Sequence, residues 1–174
     1  MNSASMFTLR QAQPEDFNSV CTLYQKIIAS LESRTNFPLW TWGVHPSQQS
    51  LKEALDNREI WLFEQNGQLC GSALVNRVLE GEEQVSWQGN DAWCIHLFGI
   101  DPVLGGKGLS DRFLQGLLAI LKEKRADSIR LNLIEGNDPA RNLYTRNGFE
   151  HRGHYSVWLD DEGFLPFEMM EQLF

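Results

Sequence analysis

The chain has no apolar run long enough to cross a membrane, and its first ten residues, MNSASMFTLR, lack the apolar centre of a secretory leader. Basic residues are in deficit: 15 Lys and Arg stand against 23 Asp and Glu, a formal net charge of −8. No cationic stripe is present to neutralise phosphates, which argues against nucleic acid as a ligand. Cysteine is scarce. Cys21, Cys70 and Cys94 are odd in number and lie in apolar segments, so they are expected to be reduced core residues and not a disulfide framework. These absences together predict a cytoplasmic protein with no membrane partner. Repeats, low-complexity tracts and linkers are missing too. The 174 residues, 42% of them hydrophobic, are expected to form one domain over residues 1–174. An acidic surface permits a cationic acceptor such as an amine without requiring one. No metal site is expected: His151 and His154, three apart in a predicted strand, should face opposite sides, with no carboxylate or Cys in register.

What is present is organised around Trp93–Arg125. The run Trp93–Ile100 is dense in aromatic and branched residues and is closed by Asp101-Pro102, as expected of a central strand. Gly105, Gly106 and Gly108 follow, where the backbone can come close to a ligand. From Leu109 the apolar residues Leu109, Phe113, Leu117, Ile120 and Leu121 recur at helical spacing. A glycine turn feeding the positive end of a helix suits an anion, most simply a phosphate. The P-loop pattern fails, with Asp101 at its first glycine position and Gly108 after Lys107; the dinucleotide pattern fails because Leu109-Ser110-Asp111 follows Gly108.

A second segment, Asn137 to Phe149, reads as a short punctuated helix. Asp138 is expected as its N-cap, Pro139 at its start and Gly148 at its left-handed stop. Elsewhere the pattern gives a strand at Phe7–Arg10 and a helix from Pro14 with Phe17, Val20, Leu23, Tyr24, Ile27, Ile28 and Leu31 on one face. A loop containing Trp40, Trp42 and His45 leads to a helix capped by Ser47. A hairpin turns at Asn66-Gly67, and strands are expected at 129–134, 151–159 and 164–174.

Together, Gly105-Gly106-Lys107-Gly108-Leu109-Ser110 and the Asn137–Phe149 segment resemble the two signatures of the GCN5-related N-acetyltransferase (GNAT) superfamily, in the right order. Gly105 replaces the family's usual Gln or Arg, and Ser110 its smaller Gly or Ala. The order β-α-α-β-β-β-α-β-α-β-β also resembles that fold. The resemblance implies an α/β GNAT fold: a mixed, mostly antiparallel sheet of about seven strands, helices on both faces, and a splayed V at the cofactor site.

It further implies an acyltransferase that moves acetyl from acetyl-CoA to a primary amine of a small molecule or peptide, by direct attack in a ternary complex. Backbone groups of Leu97, Phe98, Gly99 and Ile100 would pair with the pantetheine arm. Amides of Gly105, Gly106, Lys107, Gly108, Leu109 and Ser110 would hold the pyrophosphate, with Asn137 and Ala140 along the arm. Tyr144 matches the family's tyrosine near the thioester; a phenol of pKa about 10 is a proton donor at neutral pH, the alternative being a helix Tyr packed in the core. His96, of ordinary pKa about 6.5, is the candidate base, with Glu80, Glu82, Glu83 and Glu135 as rivals and a satisfied strand histidine as the alternative. Trp40, Trp42 and His45 are the substrate-side candidates, the alternative being that the tryptophans anchor the loop. An acyl carrier at Cys94 has no motif behind it, and a longer acyl donor or a hydroxyl acceptor stays open. A non-catalytic acyl-CoA sensor of the same fold is the competing reading, and a homodimer is suggested by analogy alone.

Overall fold

The structure, a computed structural model, describes residues 5–159 and 163–174. Its elements run β1 (Phe7–Gln11), α1 (Phe17–Glu32), α2 (Gln48–Asp56), β2 (Ile60–Gln65), β3 (Gln68–Asn76), β4 (Ala92–Ile100), α3 (Leu109–Glu123), β5 (Ser128–Ile134), α4 (Asp138–Arg146), β6 (Glu150–Leu159) and β7 (Gly163–Leu173), with short 3-10 turns between some of them. This is the expected order. The seven strands form a mixed sheet in the order β1-β2-β3-β4-β5-β7-β6. The chain packs as two compact units. One runs through Val75 and adds Leu97–Gly116; the other is Asn76–His96 with Leu117–Phe174.

In the first unit, β1, β2 and β3 pair antiparallel. The hairpin turn is carried by Asn66 and Gly67 at φ of 51° and 77°, the left-handed pair that a two-residue connection requires. Ser47 caps α2: its hydroxyl accepts from the Ser50 backbone N–H at 3.0 Å, and the Ser47 N–H donates to the Ser50 hydroxyl at 3.0 Å. The apolar face of α1 buries Val20, Leu23, Tyr24 and Ile27 against Leu51 and Leu55 of α2 and Leu62 of β2. Phe113 stacks on Phe63 (5.1 Å between centroids) and on Phe98 (4.7 Å). At this stack Gly71 has no room for a side chain, since a Cβ would lie 2.7 Å from Ile100 Cδ1 and 2.9 Å from the Gly99 carbonyl.

In the second unit the first half of β4 pairs parallel with β5, over Ala92–Cys94 against Ser128–Arg130 only. β7 lies between β5 and β6, antiparallel to both. Asn137, not Asp138, caps α4: its side-chain oxygen accepts from the Ala140 N–H at 3.3 Å. Asp138 is the first helical residue, where a carboxylate also favours the helix dipole. Gly148 takes the left-handed stop at φ 93°. The two histidines correct the sequence reading. A bulge between His151 and Gly153 shifts the register of β6 against β7, and the His151 and His154 rings come to 4.6 Å instead of facing opposite sides. Among the described residues no cluster of three metal-ligating side chains exists.

Candidate active site

The turn after β4 in the first unit is built on Asp101. Its buried carboxylate accepts from the Val103 N–H at 3.0 Å and from Lys26 at 2.8 Å, fixing the 3-10 turn Pro102–Leu104. The chain then runs through Gly106 at φ 77° and Gly108 at φ 69° into α3. A Cβ at either glycine would meet nothing within 4 Å, so these residues are required by backbone conformation and not by crowding. Arg112 N–H donates to Gly108 O at 3.2 Å, which opens the helix and leaves the first-turn N–H groups without intrahelical acceptors. The result is an open, exposed cradle of backbone donors at a helix N-terminus, chemistry that fits a pyrophosphate. Lys107 is exposed at its edge, Leu109 is buried so that only its backbone can serve, and Ser110 is half-buried. Gly105 differs from its neighbours: at φ −58° any residue is accommodated, so nothing in the backbone demands glycine there.

Leu97 breaks β4. It sits at φ 47°, the left-handed region, and its carbonyl accepts from the Tyr24 hydroxyl at 2.7 Å. Tyr24 is fully buried, with its hydroxyl 3.3 Å from Ser72 Oγ, and burial pushes its phenol well above the ordinary value, so it remains a donor. Phe98 is committed to the Phe113 stack, and Gly99 passes beneath Ile27 and Trp40, where a Cβ would lie 2.7 and 3.7 Å away. Trp40 packs edge-on to Tyr24 at 6.0 Å, and Asn36 clamps its backbone on both sides (2.9 and 3.0 Å). Trp42 is half-buried against the same core. His45 is exposed, bridged by its backbone to Thr41. Trp40 thus anchors its loop, and of the three candidates here His45 alone is exposed.

The second unit holds Tyr144, Asn137, Ala140 and His96. Tyr144 is buried in α4, edge-on to Phe149 at 5.6 Å, and burial pushes its phenol well above the ordinary value. Asn137 has spent its side-chain oxygen on the α4 cap, and Ala140 is half-buried on the first turn. His96 is half-buried in β4 with Nε2 at 2.9 Å from Asn76 Oδ1. An amide oxygen accepts, so this contact suits the tautomer with its proton on Nε2. Cys94 is inert: burial pushes its thiol to about 12. Of the rival carboxylates, Glu82 lies 3.4 Å from Arg130 and Glu135 4.0 Å from His154, while Glu80 and Glu83 are exposed.

Tyr24 and Asn76 were not among the sequence candidates. Tyr24 carried only its place in an apolar helical stripe, and the hydroxyl contacts lie 48 and 73 residues along the chain. Asn76 ended a strand, and no local pattern ties it to His96.

The acetyltransferase (GNAT) family model matches residues 22–149. Among solved structures, a GNAT-family acetyltransferase from Streptococcus agalactiae is similar at a TM-score of 0.78 and 18% identity, covering 97% of this chain and 95% of that one. The ribosomal-protein-alanine N-acetyltransferase from Brucella melitensis is similar at 0.72 and 17%, over 96% and 99% of the two chains. The structure of yncA from Salmonella typhimurium with its cofactor acetyl-CoA is similar at 0.69 and 17%, over 97% and 94%. At these identities the likeness is one of fold. No curated protein matches the sequence.

Proposed function

The chain belongs to the GNAT acetyltransferase family, and from that premise we propose that it is a single-domain enzyme over residues 1–174 that acetylates a primary amine. The donor is acetyl-CoA, and the amine attacks directly in a ternary complex. One observation carries the reading: a glycine turn with open space at Gly106 and Gly108 leads into the N-terminus of α3, and an anion of pyrophosphate size is what such a cradle holds. When bound, acetyl-CoA supplies a thioester, an acyl group activated toward amines. The backbone of Gly105–Ser110 holds the phosphates, and the backbone of Leu97–Ile100, freed from regular strand geometry by Leu97, orients the arm. Tyr144 holds a proton at Oη, kept there by burial. His96 takes the amine proton at Nδ1, with Asn76 fixing the ring.

The test separates donor binding from chemistry. Calorimetric titration should show acetyl-CoA binding in the wild type and, nearly unchanged, in Tyr144→Phe, whose turnover with a responsive amine should fall about 100-fold. His96→Ala should flatten the acid limb of the pH–rate profile, because protonated His96 cannot accept. Unchanged turnover in Tyr144→Phe removes it as the acid. Binding of acetyl-CoA with no transfer to any amine favours the sensor reading, which Gly105 supports by withdrawing a side chain from the cradle.

A further inference from the structure

The second unit contains a cavity of about 340 Å³ lined by Arg77, Arg130, Glu82, Asn90, Asp91 and Cys94. Its volume falls in the range of small-molecule sites. Arg130 forms a saturated wall: nine-tenths buried, it donates from Nη2 to the Gly89 carbonyl at 2.7 Å and lies 3.4 Å from both Glu82 and Glu171. Arg77 is different. Its guanidinium stacks on the Trp93 ring at 3.7 Å, and Nη1 alone is engaged, with Asp91 at 2.6 Å and the Ala92 carbonyl at 3.0 Å. Nε and Nη2 have no partner among the described residues. A guanidinium plane held by an indole and pinned at one end, with its other edge unspent, is organised in advance for a bidentate oxyanion.

Two further groups complete the chemistry. The Asn90 side-chain amide is unpartnered among the described residues, and Glu82 is held only by its 3.4 Å contact to Arg130, leaving carboxylate capacity for a cation. The cavity also adjoins the proposed base. Cys94 lines it, and His96 follows two residues later on the same face of β4, about 7 Å along the strand. Asn76, which fixes the His96 ring, directly precedes Arg77. We propose that this cavity is the acceptor site and that the acceptor is an amine bearing a carboxylate, of amino-acid type. Its carboxylate lies on the free edge of Arg77 and its amine is directed along β4 to His96. This rests on the acetyltransferase reading for its chemistry but not for its binding test.

The test is titration of the full chain, with and without coenzyme A, by a panel of free amino acids, their carboxamides and phosphoethanolamine. Amino acids should bind about tenfold tighter than their carboxamides. Arg77→Gln should erase that difference, while Arg77→Lys, which keeps the charge but not the fork, should retain part of it. The Arg77 side chain is 39% exposed and its ion pair with Asp91 is a surface one, so both variants should stay folded with only a small drop in thermal midpoint. Equal binding of the carboxamides, preference for phosphoethanolamine, an unaltered preference in Arg77→Gln, or no binding by any amino acid would overturn the assignment. Coenzyme A release after acetyl-CoA is added to the same samples keeps the two readings apart, since each amide formed from the thioester frees one thiol. Carboxylate-dependent binding without acetyl transfer sinks the enzyme reading alone. Transfer to amines regardless of a carboxylate sinks the pocket assignment alone.

Discussion

In the first unit the Arg10 ion pairs stand at the rim: Arg10 is 39% exposed and bridges Asp16 and Glu64 at 2.7 Å, and the buried Asp101 carboxylate is met by a half-exposed Lys26. In the second, Glu171 has no exposed surface at all and carries its charge among four donors, the backbone N–H groups of Gln88 (2.9 Å) and Gly89 (3.1 Å) and the Nε atoms of Arg152 (2.9 Å) and Arg130 (3.4 Å). Glu168, also buried, joins Arg141 at 2.7 Å and His151 at 3.0 Å. The core of the first unit includes stacked aromatic rings, and its candidate cradle is built of backbone. The second unit invests in side-chain charge, and its candidate chemistry is side-chain chemistry. The difference teaches where each half should be sensitive: one to shape, the other to the loss of a single charge.

The largest effect is therefore expected at Glu171. Replacing it with Gln leaves Arg130 and Arg152 facing an uncharged group, and breaking a buried pair costs about 3–5 kcal/mol. Asp16→Asn, at a carboxylate 16% exposed beside a 39% exposed Arg10, should cost less, about 1 kcal/mol. Urea denaturation of both variants measures the contrast, and equal losses would break it. The pH dependence sharpens it. Burial pushes the Glu171 carboxyl up, but its four donors outweigh that and the net shift is downward. The Arg10 hydrogen bond lowers Asp16 as well. A lowered carboxyl contributes stability that is present above its unfolded pKa of about 4 and is lost as pH falls through the folded value. Glu171→Gln should accordingly flatten the acid limb of the stability profile.

Next in size is Gly71→Ala. The added methyl would meet the Gly99 carbonyl at 2.9 Å, backbone that cannot move aside, as well as Ile100 and Phe113, and overpacking of this kind costs about 1–3 kcal/mol. Gly99→Ala should cost less, because its 2.7 Å neighbour is the rotatable end of Ile27. A reversed order in thermal unfolding would mean that the aromatic stack yields where the strand does not.

What the sequence made legible follows the same division. The strand and helix order could be read because apolar spacing is local, and the glycine turn could be read because left-handed backbone leaves a residue-type signature at Gly106 and Gly108. The α4 cap was misplaced by one residue because Asn137 and Asp138 are both good caps and only the geometry chooses between them. The histidine pair was misread because a bulge defeats alternation, and alternation was the only available rule. The Glu171 network was invisible: its donors from Gln88 and Gly89 lie 83 and 82 residues away, and nothing in EMMEQLF distinguishes a buried glutamate from a solvated one. Leu97 left no signal either, since nothing local in β4 marks a leucine for a left-handed conformation.

The smallest effects are expected in the cradle, where they sharpen the contrast between backbone and side chain most directly. Gly106→Ala places a methyl in open space, so its cost is conformational only, about 1 kcal/mol from the left-handed φ of 77°. If the cradle works through its backbone, acetyl-CoA affinity should fall by more than this stability loss suggests, because the loop must shift to relieve the strain and its N–H groups shift with it. Gly105→Gln is the counterpart. At φ −58° it adds no strain, and its Cβ would lie 3.4 Å from the Pro102 carbonyl, an ordinary contact, so stability should hold. The new side chain supplies a hydrogen-bond donor of the type the family usually carries at this position, worth about 0.5–1.5 kcal/mol, or roughly a two- to thirteenfold gain in acetyl-CoA affinity. Calorimetric titration of the two variants reads both signs at once. A loss at Gly106 with a gain at Gly105 fits a backbone cradle that lacks one side chain, whereas tighter binding by Gly106→Ala would mean that the phosphates are held elsewhere.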